Sequence, residues 1–388
     1  MKVSVLQKGS RSKRKLRVLI ISHAYVVGVN QGKLKAIADT GIELALLAPS
    51  NWQAREWNRF LPLETPFDTY RIYSAPVLFT GRVGAHIYSP LKIWQVIKDF
   101  QPDVIQLEEE IFSLCALEVS FCTKLLDLPL VVFGWENQQR RLPWLRRWIR
   151  DFAMANTSLY LAGNQDGVAV IRNWHYQGEI EVMPQMGVDS ELFAPQPKTK
   201  TAELKIGFLG RLVPEKGIDL LFTAAQQLRQ QGLKYQLIIY GSGTSEAELR
   251  KKATELQIDD LVVWAGAVSH AEAPGALSQF EVLVLPSRTV DTWKEQFGHV
   301  LIEAMSMGIP VVGSTCGEIP HVISRDELVF PEGDAAALAK ILARCIVDRT
   351  WCEQMGSYGI ERVEQHYSHQ RIARRLIEHW QKLVPTHR

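Results

Sequence analysis

The chain has 388 residues, with 44 Lys plus Arg against 42 Asp plus Glu and a formal net charge of +2. So even a balance excludes the broad basic surface by which a protein holds nucleic acid. No continuous apolar run approaches the roughly 20 residues that cross a bilayer as a helix, and the length suits two α/β domains, each with its own core.

Residues 1–15 are basic and polar and read as a disordered tail. The apolar run that follows is broken by Ser22 and His23, with no small-residue cleavage site after it. A first buried strand at 17–22 is therefore expected rather than the core of a signal peptide. A short helix at 34–38, a strand at 42–48, a helix at 93–100 and a strand at 102–107 follow. Then come a helix at 114–126, a strand at 130–133, a helix at 142–155 and a strand at 158–162. Alternation of this kind implies a parallel sheet covered on both faces. Periodicity stops at 186–200, where prolines and polar residues cluster, the composition of a linker. The expected division is an N-terminal domain at 16–192, a linker at 193–203 and a C-terminal domain at 204–368.

In the second half the alternation restarts, with strands at 204–209, 236–240, 261–264 and 282–285 and helices at 218–230, 245–256 and 271–277. Residues 369–383 form a final amphipathic helix in a segment running to 388. Cys115, Cys122, Cys316, Cys345 and Cys352 are odd in number and match neither a disulfide framework nor a zinc site. They are expected to be reduced thiols of a cytoplasmic protein.

Chemistry concentrates in the second half. Val282-Leu-Val-Leu-Pro-Ser287 is a buried strand closed by Pro and Ser, and Glu295-Gln-Phe-Gly-His-Val-Leu-Ile-Glu303 follows. Gly298 allows close backbone approach at a turn beside Phe297. A helix then runs from His299 until Gly308 and Pro310 stop it. Such a helix opens at the carboxyl end of a strand, where open α/β sheets bind ligands, and its free N–H groups suit a phosphate or a sugar edge. Glu295 and Glu303 repel a phosphate but accept hydrogen bonds from hydroxyls, which a nucleotide sugar carries on hexose and ribose. A capped core helix with two solvated glutamates is the alternative.

Gly210-Arg-Leu-Val-Pro-Glu-Lys-Gly217 lies between a strand and a helix. The planar fork of Arg211 and the mobile charge of Lys216 suit a pyrophosphate. Two solvated loop cations would read the same way. Tyr240-Gly-Ser-Gly243 offers Gly241 and Gly243 for close approach of a nucleotide. No Asp-x-Asp occurs, so no metal and no cofactor is expected. Arg211, Lys216 and the helix N-terminus supply the positive charge instead.

The stretch from Glu295 to Glu303 resembles the glutamate–seven–glutamate element of retaining glycosyltransferases of family 4, which have the GT-B architecture. The resemblance covers most of the chain and is strongest from about residue 207 to 312. It implies two Rossmann-like domains facing across a cleft, the final helix crossing back to the first. It assigns the donor hexose to Glu295, the ribose to Glu303, and the donor phosphates and leaving diphosphate to Arg211 and Lys216. Departures lie in the first half. Relatives often carry a Gly-Gly pair after the first strand. Here the loop runs from His23 through Gly28 to Gly32, with separated glycines. Where relatives often place a His after the fourth strand, this chain has Trp135 and Glu136, and Glu109 stands in an acidic triplet. An acidic residue there can polarise an acceptor hydroxyl, or the triplet is a solvated loop.

Residues 139–152 are the most basic stretch inside the fold, and Leu142, Leu145, Trp148, Ile149 and Phe152 share one helical face. Either that face packs on the sheet, or the helix docks on anionic headgroups from the cytoplasmic side. The expected activity is transfer of a hexose from a UDP- or GDP-linked donor to a saccharide or lipid-linked hydroxyl in surface polysaccharide or glycolipid assembly. A nucleotide-sugar epimerase of the same architecture and an inactive sugar-binding protein are the alternatives.

Overall fold

The computed structural model describes residues 15–54, 59–197 and 203–384. The expected tail, apart from residue 15, lies outside them, as do 198–202 of the linker and 385–388 of the final segment.

In the first half, β1 (Arg17–Ile21), α1 (Gly32–Ala38) and β2 (Glu43–Pro49) lead into a hairpin of β3 (Asn51–Ala54) and β4 (Arg59–Pro62). Then come β5 (Arg71–Ala75), α2 (Pro90–Phe100), β6 (Val104–Glu108), α3 (Leu114–Leu126), β7 (Leu130–Gly134), α4 (Trp144–Ala155), β8 (Leu159–Ala162), α5 (Gln165–Asn173) and β9 (Glu179–Val182). The strands form one sheet in the order β5-β2-β1-β6-β7-β8-β9, the hairpin standing apart. Every pairing in it is parallel. Alternate residues serve opposite faces, as a strand's period of two requires. Leu19, Ile21, Leu47, Ile105 and Leu107 belong to the core under α2 and α3, while Val18, Ile20, Leu44, Leu46 and Val104 belong to the core under α1.

The second half contains β10 (Leu204–Leu209), α6 (Ile218–Gln230), β11 (Tyr235–Tyr240), α7 (Glu246–Glu255), β12 (Val262–Gly266), α8 (Ala273–Leu277) and β13 (Val282–Leu285). It continues with α9 (His299–Ser306), β14 (Val311–Ser314), α10 (Ile319–Ile323), β15 (Val329–Phe330), α11 (Ala335–Val347), α12 (Arg349–His366) and α13 (His369–Leu383). Its sheet is parallel throughout in the order β12-β11-β10-β13-β14-β15, with a separate hydrophobic core. Helix α13 returns to the first domain. Ile372, Ala373, Leu376 and Trp380 sit in the core with Val18 and Ile20, and the Trp380 indole donates to Gln106 Oε1 at 2.9 Å.

Sequence periodicity missed the edge strands β5, β9 and β15 and the hairpin and, among the helices, α5, α10, α11 and α12. Strands β5 and β9 are edge strands with half-exposed residues, so they lack the unbroken apolar run of a buried strand. Helix α4 starts two residues later than expected because Pro143 precedes its first turn. Its face also differs from the expected one. Ile149, Ala153 and Met154 are buried, whereas Trp144, Leu145 and Trp148 are 72%, 46% and 53% exposed. All five cysteines are buried and unbridged.

In each sheet, chain order reverses between two adjacent strands: β1 and β6 in the first, β10 and β13 in the second. The loops leaving the carboxyl ends of such a pair diverge and leave a crevice. His23 and Glu109 follow β1 and β6; Gly210, Arg211, Ser287 and Glu295 follow β10 and β13.

Candidate functional site

On the second domain the loop after β10 is knitted to the loop after β11. Leu212 N–H donates to the Ser242 carbonyl and Ser245 N–H to the Leu212 carbonyl, both at 2.9 Å. Gly241 has φ +145°, and a Cβ there would sit 1.8 Å from the Gly210 carbonyl oxygen. No other residue lets the two loops approach so closely. At the end of this loop the Lys216 ammonium pairs with Glu295 Oε2 at 2.6 Å and lies 4.9 Å from the Trp293 ring centroid. Ser287 Oγ donates to the same carboxylate at 2.9 Å. One of the three lysine N–H donors is thus used by Glu295, leaving two for a ligand. Arg211 is exposed and makes no ion pair among the described residues.

Gly298 begins α9 with φ +82°. That left-handed turn carries His299 and Glu303 on α9 to a cavity of about 360 Å³ between the domains, lined also by Gly28, Phe67, His270 and His369. Burial raises the Glu303 carboxyl to about 7, and burial lowers His299 to about 4, outweighing the opposing pull of Glu295. At neutral pH the cavity therefore holds a neutral imidazole beside a carboxyl poised between its two forms. Such a pair is able to accept and donate hydrogen bonds to hydroxyl groups.

The domains meet around Trp135. Its ring centroid is 6.3 Å from that of buried Phe297 and 6.2 Å from that of His299, and its carbonyl accepts from Gln296 Nε2 at 3.1 Å. Its indole donates to Gln185 at 2.8 Å. Asp166 and Lys294 form a cross-domain ion pair at 2.5 Å, and Glu318 accepts from the Gln165 N–H at 2.8 Å. Glu136 is buried, yet its carboxylate turns to Arg140 at 2.9 Å rather than to the other candidate side chains.

His23 and Glu109 do come together. The His23 ring Nδ1 lies 2.7 Å from Glu109 Oε1, and the His23 backbone N–H donates to the same oxygen at 2.8 Å. Burial opposes ionisation of Glu109, but the imidazoles of His23 and His86 outweigh it and hold the carboxyl at about 2. The acidic triplet is thus no solvated loop. Glu108 is buried as well and accepts from Tyr25, Lys33 and Gln106 at 2.6 Å each. Gly28 donates its N–H to Glu64 at 2.5 Å in a single turn of 3-10 helix at the cavity rim. His86, Trp52, Trp293 and His270 escaped sequence reasoning. Each lies in a loop or short edge element with no motif around it, and only the chain path brings it in.

Residues 189–362 match the profile of the family described as glycosyl transferases group 1. The matched stretch takes in most of the second domain. The chain is 34% identical over 204 residues to the putative colanic acid biosynthesis glycosyltransferase WcaL of Escherichia coli, covering 51% of this chain and 50% of that one. It is 30% identical over 213 residues to a GDP-mannose-dependent alpha-(1-6)-phosphatidylinositol monomannoside mannosyltransferase of Mycobacterium tuberculosis, covering 51% and 55%. The matches span about half the length of these curated relatives. Among solved structures, Alr3699/HepE of Anabaena in complex with UDP superposes with a TM-score of 0.68 at 17% identity, covering 95% of this chain and 100% of that one. A glycosyltransferase from Rickettsia africae superposes with a TM-score of 0.70 at 13% identity, covering 96% and 99%. The architecture shared with these neighbours is GT-B: two Rossmann-like domains across a cleft.

Proposed function

We propose that the chain is a retaining hexosyltransferase that moves a hexose from a UDP- or GDP-linked donor to a hydroxyl of a saccharide or lipid-linked acceptor. The observation that carries this reading is the convergence at the second domain's chain-order reversal. Lys216 is tethered to Glu295 there, and Glu303 faces the interdomain cavity. Arg211 and Lys216 would bind the diphosphate and stabilise the charge that builds on it as its bond to the sugar carbon breaks. Glu295 would hold hexose hydroxyls and Glu303 the ribose. These two cations and the first turn of α9 meet the diphosphate's charge with no metal on the pyrophosphate. Enclosure between the domains would keep water from the donor.

The relatives support a role in surface polysaccharide or glycolipid assembly. One is named for colanic acid biosynthesis and another for a phosphatidylinositol mannoside acceptor. Among the described residues no helix is long and apolar enough to cross a membrane. Contact with the cytoplasmic membrane face would run through α4, whose exposed Trp144, Leu145 and Trp148 neighbour Arg140, Arg141 and Arg147. That is the composition of a helix lying in an anionic interface.

The test is a thermal-shift panel of nucleoside diphosphates and their sugars, in chelator, followed by product analysis with and without acceptor sugars. A ligand that binds only the native state raises the melting temperature. One nucleoside diphosphate and its sugar should do so, and the sugar should appear on an added acceptor. A new sugar isomer formed from the donor alone would make the chain an epimerase instead. No shift with any nucleotide would end the reading.

A further inference from the structure

At the other chain-order reversal, between β1 and β6, stands a cluster that the donor chemistry leaves unused. His23 follows β1, Glu109 follows β6, and His86 arrives from the loop between β5 and α2. One ligand atom from each lies within 4.8 Å of the others. We propose that these three side chains form a binding site for a zinc-class divalent cation on the first domain.

Glu109 is 3% exposed, and a buried carboxylate needs a compensating cation. Among the described residues no Lys or Arg pairs with it, so its charge is met by the imidazoles in protonated form or by a metal ion that they hold. The partners of Glu109 are the two imidazoles and one backbone N–H.

The tautomer of His86 sharpens the point. Its Nδ1 faces the Val83 carbonyl at 3.0 Å. A carbonyl only accepts, so Nδ1 carries a proton, and in the neutral ring Nε2 is then a bare lone pair. That Nε2 is fully buried, has no hydrogen-bond partner, and stands 3.5 Å from Glu109 Oε1. Against the opposing effect of burial, Glu109 raises the proton affinity of His86, so Nε2 meets the carboxylate through a proton or through a metal ion, and a bare lone pair there would be repulsive. A cation between them removes the conflict. Zinc bonds of about 2.0–2.2 Å in tetrahedral geometry set neighbouring ligand atoms about 3.4 Å apart, which is the separation His86 and Glu109 already have. His23 Nδ1, at 2.7 Å from Glu109, must withdraw by less than about 1 Å to reach the same spacing. It has room to do so, since its side chain is 20% exposed.

The surroundings match a ligand set held from outside. A histidine ligand is normally oriented by a carbonyl or carboxylate on its other nitrogen, and Val83 does this for His86. The Trp52 ring stacks on His23 with centroids 4.5 Å apart and meets His86 edge-on at 5.1 Å, walling the cluster. Two imidazoles and one carboxylate suit zinc or a similar borderline ion better than Mg²⁺ or Ca²⁺. Three protein ligands leave a fourth position open for water or an incoming hydroxyl. None of these three residues forms a hydrogen bond or ion pair with Lys216 or Glu295, so the diphosphate reading stands or falls independently of them.

The test uses full-length protein with any affinity tag removed, stripped with chelator, re-equilibrated with zinc and desalted. Elemental analysis should find about one zinc per chain in the wild type and much less in His86→Ala and in Glu109→Gln. X-ray absorption at the zinc edge, which needs no variant to fold, should show nitrogen and oxygen ligands and no sulfur. Wild-type protein that retains no zinc, sulfur in the shell, or full zinc in both variants overturns the proposal. So does a nitrogen NMR spectrum showing a doubly protonated His86 imidazolium with zinc present, because a proton then fills the gap instead.

Discussion

Glu303→Gln separates what the cavity does for binding from what it does to the fold. Burial moves the Glu303 carboxyl from its ordinary 4.5 to about 7. At about 1.4 kcal/mol for each tenfold change in proton affinity, holding the ionised form there destabilises the native state by about 3 kcal/mol. Some solvent reaches the side chain, which is 16% exposed, so about 2–3 kcal/mol is the working figure. Because the folded value lies above the unfolded one, the native state holds the proton more tightly. Its contribution to stability is present below 4.5 and is lost as pH rises through about 7. Glutamine keeps the volume and never ionises. In urea titrations the variant should be close to wild type near about pH 5 and more stable by about 2–3 kcal/mol near about pH 8. Binding should move the other way. A hydrogen bond to a charged group is worth about 1.5–3 kcal/mol, so calorimetry should show nucleoside diphosphate affinity about 10–100-fold weaker at the higher pH. A stability gap that does not change with pH would refute the burial argument, and unchanged affinity would remove Glu303 from the nucleotide site.

Lys216→Met keeps the aliphatic stem and removes the charge that faces Trp293 and Glu295. Donor turnover should fall about 100–1,000-fold, the scale of losing one group that stabilises developing charge, as followed by nucleotide release. Trp380→Ala should destabilise the first domain by about 3–5 kcal/mol in denaturant titrations, because it opens a cavity under the sheet and strands Gln106. An effect under about 1 kcal/mol would mean that α13 does not anchor there. Trp144→Ser with Trp148→Ser should abolish co-sedimentation with anionic vesicles at low salt while leaving nucleotide binding intact. Retained sedimentation would place any membrane contact elsewhere.

The second domain was legible because its chemistry is local. Glu295, Gly298, His299 and Glu303 lie in one turn and one helix, and Gly210 to Gly217 form one loop. Strand and helix periodicity therefore placed them on known geometry before any long-range contact was considered. The first domain was not, because its groups meet only through the chain path. Glu109 read equally well as a solvated loop acid. What surrounds it is His86, brought back by the chain between β5 and α2, and His23, on which Trp52 stacks. Helix α4 shows the same limit, since its sequence marks an apolar face but not which residues the neighbouring α3 covers.

The sequence alone determined two parallel α/β units and the terminal helix, and it marked in the second the charged and glycine positions on which the proposed diphosphate and hydroxyl binding rests. Apolar runs, glycine positions and the spacing of charges act within a few residues of one another. Only the tertiary structure decided that His23, His86 and Glu109 share one buried spot, that Glu136 turns to Arg140, and that Glu303 faces a cavity which raises its proton affinity. Burial and charge compensation are set by neighbours far away in the chain, and no local pattern encodes which neighbours those are.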